Sequence, residues 1–482
     1  MTDQNPSPIS LGNSTESTIL EPDKPGTSAK MTGGWVYRKY LFCYALAGLG
    51  IFAIWGSMGP IFLPNQVQII EFNNIFGENS GVNLLELQQL KAAVEAGTVT
   101  PNAEQAALLE KFGQYDSAVR DGLALVTAVG VFLTMLIQPV VGILSDRTRS
   151  PIGRRAPWIL GGAIGGGLLL LGLRLSPTII AMAIFWSIAQ IAINLAQSPL
   201  TTTVADRVVE KKLGTASAMS GIGLMVGIQV GAVLGGELFA RYSLDAYYFF
   251  IIALMAFALL FVFLCPDRSS KALDVEPFNI GEFLLSMFTP MKDADFRWVW
   301  LSKLVLMFGY TVAGQFNLLM MQFYIQPALS QQEATIELPR VMVASLIPSL
   351  IAMVIAGIWS DKILKRKPFV FGASVLMAAS FLIPWIWPVL PALYVQSVIG
   401  GAAMGAFLTV DQALFIDVIP DKATVGRDLG MGNLGGNLGQ AIGPVVANAV
   451  VTYLGGYKSV WIVSAIIVLV AAFAVIPIKR VK

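Results

Sequence analysis

Twelve apolar runs, each about long enough to cross a bilayer, leave this chain few folds to choose from. They lie near residues 37–63, 121–144, 157–175, 178–203, 214–239, 246–265, 297–325, 341–359, 369–389, 391–418, 429–453 and 459–478. A helix needs about 20 apolar residues to span about 30 Å of hydrocarbon. Lipid offers no partner to backbone N–H and C=O groups, so a span is a helix or a strand of a closed barrel. These runs lack strand alternation, and an all-α membrane protein with twelve transmembrane helices is expected. Composition agrees: 55% hydrophobic, 13% charged and a mean hydropathy of +0.68 is the balance of a membrane protein.

Lysine and arginine in short loops set the orientation. The loop after span two carries Arg147, Arg149, Arg154 and Arg155. The loop after span four carries Arg207, Lys211 and Lys212, and that after span eight Lys362, Lys365, Arg366 and Lys367. The short loops of the other face hold little more than one basic residue each. Both termini are therefore expected in the cytoplasm of a multi-pass protein of the cell membrane. The polar residues 1–34 read as a disordered cytoplasmic tail and not as a cleaved signal peptide.

A polar stretch at 266–296 reads as a cytoplasmic linker between two six-helix halves, 35–265 and 297–482. The halves echo each other. Gly142, Ser145 and Asp146 match Gly357, Ser360 and Asp361 at an offset of 215 residues, and Asp206 and Gln229 match Asp417 and Gln440 at 211. Two pseudo-symmetric halves with a site between them are an architecture of secondary transporters. The loop at 64–120 is an extracytoplasmic insertion. Gly97 ends one helix there, and Thr100 with Pro101 opens a second. A stabilising cap and a substrate-handling element both remain open for it.

The chain has no histidine, which removes the usual base, proton relay and metal ligand. Cys43 and Cys265 suggest neither a disulfide framework nor a metal site. No catalytic residue, metal or cofactor is expected, nor a nucleic-acid partner; the expected partners are a small solute, a coupling ion and lipid, with the chain acting as a monomer.

The stretch GILSDRTRSPIGRR at 142–155, with a weaker copy GIWSDKILKRKP at 357–368, resembles the signature loop of the major facilitator superfamily. Its spacing and the following A-P-W are similar to the sucrose/proton symporter branch and its bacterial, glycoside-cation symporter-like relatives. Asn194, Gln197 and Pro199 of span four and V-D-Q-A-L at 410–414 extend the resemblance. It implies a gate at the cytoplasmic face. Asp146 would face the N-terminus of span eleven, and Arg147, Arg154 and Arg155 would pair with Asp206 or Asp417 to hold the halves together. Asp361 would do the same for span five. The aspartate and arginine that the branch carries on span four are here Gln190 and Thr201, so neither sucrose nor that proton route is carried over.

Amides are costly in lipid unless partnered. Gln190, Asn194, Gln197 and Thr201 form one stripe on span four, and Asn433, Asn437 and Gln440 another on span eleven. With Trp55, Tyr310, Gln315, Asn317 and Gln412 they are the candidate lining of a polar cavity. Lys303 is taken to snorkel to the cytoplasmic face. A lining of amides, hydroxyls and aromatic rings suits an uncharged, hydroxyl-rich solute such as a sugar or glycoside. Asp411, an acidic residue well inside a span, is the candidate for proton coupling; packing against an amide is its other reading. Proton-coupled symport of such a solute is one expectation. Proton-coupled export is the other, favoured by GIQVGAVLGG at 227–236, which resembles the span-five antiporter motif with Ala232 in place of proline. A transporter-like sensor would be marked by a large soluble signalling domain, and none is expected here.

Overall fold

A computed structural model describes residues 19–20, 25–78, 80–275, 280–363, 365–419 and 425–481. Every apolar run lies on a helix. Span one is Gly34–Ser57, a π turn at Met58–Phe62 and Leu63–Phe76; span two is Ala103–Asp146. Spans three to six are Ala156–Arg174, Ile179–Arg207, Glu210–Tyr242 and Tyr247–Leu264. Span seven is Ala294–Gly314 with Asn317–Phe323, and span eight Gln331–Ala344 with Leu346–Ile363. Spans nine to twelve are Lys367–Ile386, Leu390–Val418, Val425–Tyr453 and Tyr457–Phe473.

The helices pack as two copies of one pattern. Span one lies on five and six, span four on two and three, and span three on six. Span seven likewise lies on eleven and twelve, span ten on eight and nine, and span nine on twelve. The copies meet where span two packs on eleven and span five on eight. Apolar side chains of spans three, six, nine and twelve stay open to the surroundings, among them Leu168, Ile252, Phe263, Ile386 and Ile466. Lipid supplies the apolar medium that such a surface requires.

Close helix approach explains the glycine stripe of span five. A Cβ on Gly231 would sit 2.3 Å from the carbonyl oxygen of Ala53 on span one, and one on Gly236 would sit 2.6 Å from that of Thr335 on span eight. Gly439 of span eleven meets the Leu304 carbonyl of span seven in the corresponding way. Small residues at these positions let backbones touch. The motif that favoured export is thus already used in packing.

Three spans are broken. Pro60 has no N–H to donate back along span one, and the helix passes it through the π turn. Span seven breaks at Gln315 and Phe316, and span eight at Ser345. The insertion forms a helix at Leu84–Glu95, ended by Gly97 at φ +71°, as its sequence suggests. The second helix starts later than Thr100 and Pro101 suggest: Asn102 caps it, with Gln105 returning the capping bond, and it runs unbroken into span two. A side chain that accepts from the first turn outweighs a proline that only tolerates it.

Residues 25–33 also depart from the expected disordered tail, whose residues 1–18 and 21–24 lie outside the described residues. Ser28 donates to Asp267 at 2.8 Å, Met31 bridges to Val208, and Gly26 (φ +79°) sits against the backbone of Leu273. The start of the linker is held in turn: Arg149 donates to the Leu273 carbonyl at 2.9 Å. At the other end of the chain, the backbone N–H groups of Lys479 and Arg480 donate to Asp295 at the start of span seven. Residues 25–33 and 479–480 thus lie at the face that carries the basic loops.

Candidate functional site

The signature loop is an ion-pair latch between helix ends. Arg155 is 2% exposed; its Nε donates to Asp206 at 2.9 Å, its Nη1 to the Ser145 hydroxyl at 2.5 Å, and it pairs with Asp146. Arg154 reaches the other Asp206 oxygen at 2.6 Å. Arg147 caps span two. One guanidinium thereby ties the ends of spans two, three and four at the face that carries the basic loops. The second half repeats this with Arg366, which donates to Ser360 at 2.8 Å and Asp361 at 2.5 Å and lies 3.4 Å from Asp417. These pairs therefore close within each half, where the sequence reading had them join the halves. Asp146 pairs with Arg155, while the start of span eleven, which the sequence sets opposite it, lies in part outside the described residues. Arg155→Lys replaces a planar fork by a point charge. It is expected to lower stability by about 1–3 kcal/mol, seen in thermal unfolding of the detergent-solubilised protein. Arg366→Lys is expected to cost less than half of that, because its carboxylate partners are 69% and 41% exposed.

The candidate solute-binding residues fall into two groups. In the first half, Trp55 Nε1 donates to Gln197 at 2.6 Å and its ring meets Trp186 edge-on. Asn194 donates to the Gln190 carbonyl of its own helix at 2.9 Å, and Thr201 to that of Ser198. Gln190 is buried against Gly130 of span two. Much of the span-four stripe is therefore helix packing here: Asn194 and Gln197 have partners nearer than a cavity, and Gln190 is buried with its Nε2 unpartnered among the described residues. Gln315 donates across the halves to Thr127 at 3.1 Å, and Asn317 opens the outer segment of span seven.

In the second half Gln412, Asn433, Asn437 and Gln440 line one cavity of about 290 Å³ with Met307, Leu408, Gly436 and Lys303. That is near the lower end of ligand pockets, about 300–1,000 Å³. Tyr310 stands two turns beyond Lys303 on span seven, 45% exposed. Lys303 corrects the sequence reading. It does not snorkel: it is 8% exposed, and its Nζ lies 3.2 Å from Oδ2 of Asp411 and 5.0 Å from the centre of the Phe415 ring. Gly436 leaves room for its stem, whose Cε would lie 3.6 Å from a Cβ there. Asp411 is 1% exposed, and its Oδ1 has no partner among the described residues. Its partner is thus a cation and not an amide. The carboxylate is not repeated at the matching position of the first half, which is Leu200. Two opposite charges deep in two apolar runs are the signal that would have found Lys303.

A family model described as Major Facilitator Superfamily matches residues 40–327 and 299–482. A general alpha-glucoside permease of Schizosaccharomyces pombe is 28% identical over 170 residues, 32% of this chain and 29% of the permease. An uncharacterized symporter of Synechocystis is 51% identical over 39 residues, 8% of this chain and 7% of that protein. The chain thus spans less than a third of these curated relatives. The crystal structure of the nucleoside transporter NupG superposes with a TM-score of 0.64 at 16% identity, over 92% of this chain and 100% of that one. That of a bacterial homolog of the human lysosomal transporter Spinster, inward-facing and unoccupied, gives 0.58 at 13% identity, over 92% and 94%. At these identities the likeness is one of fold.

Proposed function

The chain belongs to the major facilitator superfamily, and on that premise we propose that it is a proton-coupled symporter of an uncharged, hydroxyl-rich solute, a sugar or glycoside, working as a monomer in the cell membrane. The observation that carries this reading is the Lys303–Asp411 pair in and beside the wall of a cavity lined by four amides. Paired, the two side chains cancel, so the wall presents donors and acceptors without net charge. Amides offer both to a hydroxyl, and Tyr310 offers a ring face of the kind that packs on a sugar. The similarity to an alpha-glucoside permease and to a symporter supports the same class.

Asp411 carries the coupling proton in this reading. Ionised, it holds Lys303; protonated, it no longer needs the counter-charge and leaves the ammonium to the cavity. A change in one proton is thereby a change in what the solute meets, which is the differential interaction that coupling requires. The rocking of one half against the other would present the cavity to each side in turn. The ion pairs within each half keep its cytoplasmic helix ends together during that motion.

The test is uptake into proteoliposomes of maltose, sucrose, uridine and a lipophilic cationic dye, under an imposed proton or sodium gradient. Accumulation of maltose or sucrose with the outside acidic is expected. Accumulation of uridine alone would move the substrate class to nucleosides. Proton-driven movement of the dye in the opposite direction would replace symport by antiport.

A further inference from the structure

The extracytoplasmic insertion reaches from the first half onto the second. From its helix Leu84–Glu95, Gln88 donates to the Phe323 carbonyl at the outer end of span seven, at 3.0 Å. The outer extension of span two adds two more bonds. Asp116 accepts from the hydroxyl of Tyr457, at the start of span twelve, at 2.6 Å, and Asp121 accepts from Asn448 of span eleven at 2.6 Å. Arg120 is 7% exposed, lies 3.4 Å from Asp116 and covers the Tyr457 ring at 5.9 Å. The rings of Phe112 and Phe323 meet edge to face beside it, their centres 5.7 Å apart. Three elements of one half are therefore seized by one continuous segment of the other, all at the outer end.

We propose that this segment is the clasp of the outer gate. It holds the halves together while the outer mouth is shut, and it must release once in every cycle. This rests on the alternating-access reading above but not on the identity of the solute. The chemistry suits a reversible catch. Asp116 and Arg120 belong to the same helix and stay paired when the gate opens, so no charge is left bare. What is exchanged with water is a few hydrogen bonds and one aromatic contact, each of modest net value. A stabilising cap confined to its own half would have no need of Tyr457 or Asn448.

The experiment reads access to the cavity and needs no solute. Cys43 and Cys265 are replaced by alanine and Gln412→Cys serves as reporter, labelled by a membrane-impermeant maleimide in right-side-out and inside-out vesicles. Asp116→Asn and, separately, Tyr457→Phe are expected to raise external labelling about tenfold, the order of a lost hydrogen bond to a charged group. Asp121→Cys with Asn448→Cys, bridged by a short bifunctional thiol reagent before the maleimide is added, is expected to abolish external labelling. Unchanged external labelling in both single variants, eluting from size exclusion as the parent does, overturns the clasp. External labelling that persists after bridging overturns it too, whatever the stability of the single variants. A reporter that labels from neither side in any variant overturns the alternating-access reading on which the clasp rests.

Discussion

Asp411→Asn is expected to leave solute exchange across the membrane intact while abolishing accumulation driven by a pH gradient. Asparagine keeps the shape of the side chain and an oxygen for Lys303, so the helix contact persists. The ammonium borders the cavity, and water there can satisfy what the carboxylate no longer does. What the variant loses is the proton site. A carrier that cannot bind the proton equilibrates its solute and no further. The measurement compares counterflow with pH-driven uptake in the same proteoliposomes, using whichever solute the panel selects. A variant that still accumulates solute at the wild-type ratio removes Asp411 from coupling.

Lys303→Met is expected to be the most destabilising single change, at about 3–5 kcal/mol, because it strands a carboxylate that is 1% exposed. The loss is expected to shrink as the pH falls, since a protonated carboxyl needs no counter-charge. Adding Asp411→Asn to Lys303→Met is expected to recover most of it. Thermal unfolding of the four proteins, parent, two singles and double, forms a cycle that isolates the pair. Additive losses would show that each side chain acts alone and would remove the pair from the cavity's design.

The lipid-spanning character and the repeat were legible because both are local. A run of 20 apolar residues is a helix wherever it sits in a bilayer. The matched glycines, serines and aspartates of the two loops mark equivalent turns whatever packs around them. Gly97 stopped its helix as read, because a left-handed residue is a property of the backbone at one position. Arg155 and Arg366 stand at the same 211-residue offset as Asp206 and Asp417, yet only their side-chain partners show that they are one device made twice.

Partnership across the fold was another matter. Lys303 and Asp411 are 108 residues apart; their depth in two apolar runs marks them as a candidate pair, but only the packing of spans seven and ten brings them within 3.2 Å of each other. A lysine on an isolated helix snorkels; beside an aspartate it stays. The amides of spans four and eleven have the same spacing and opposite fates, since Gln197 met Trp55 while Asn433 and Gln440 met open space. The insertion likewise reads as a helical cap of its own half until Asp116 is found against Tyr457. By itself the sequence determined that the chain crosses a membrane as helices, in two repeated halves, with its basic loops at one face. Those properties follow from how each segment partitions between water and lipid. Tertiary structure alone decided which polar groups are consumed in packing and which remain for a solute, because that depends on the rotation of each helix toward its neighbours, a degree of freedom that residue spacing does not record.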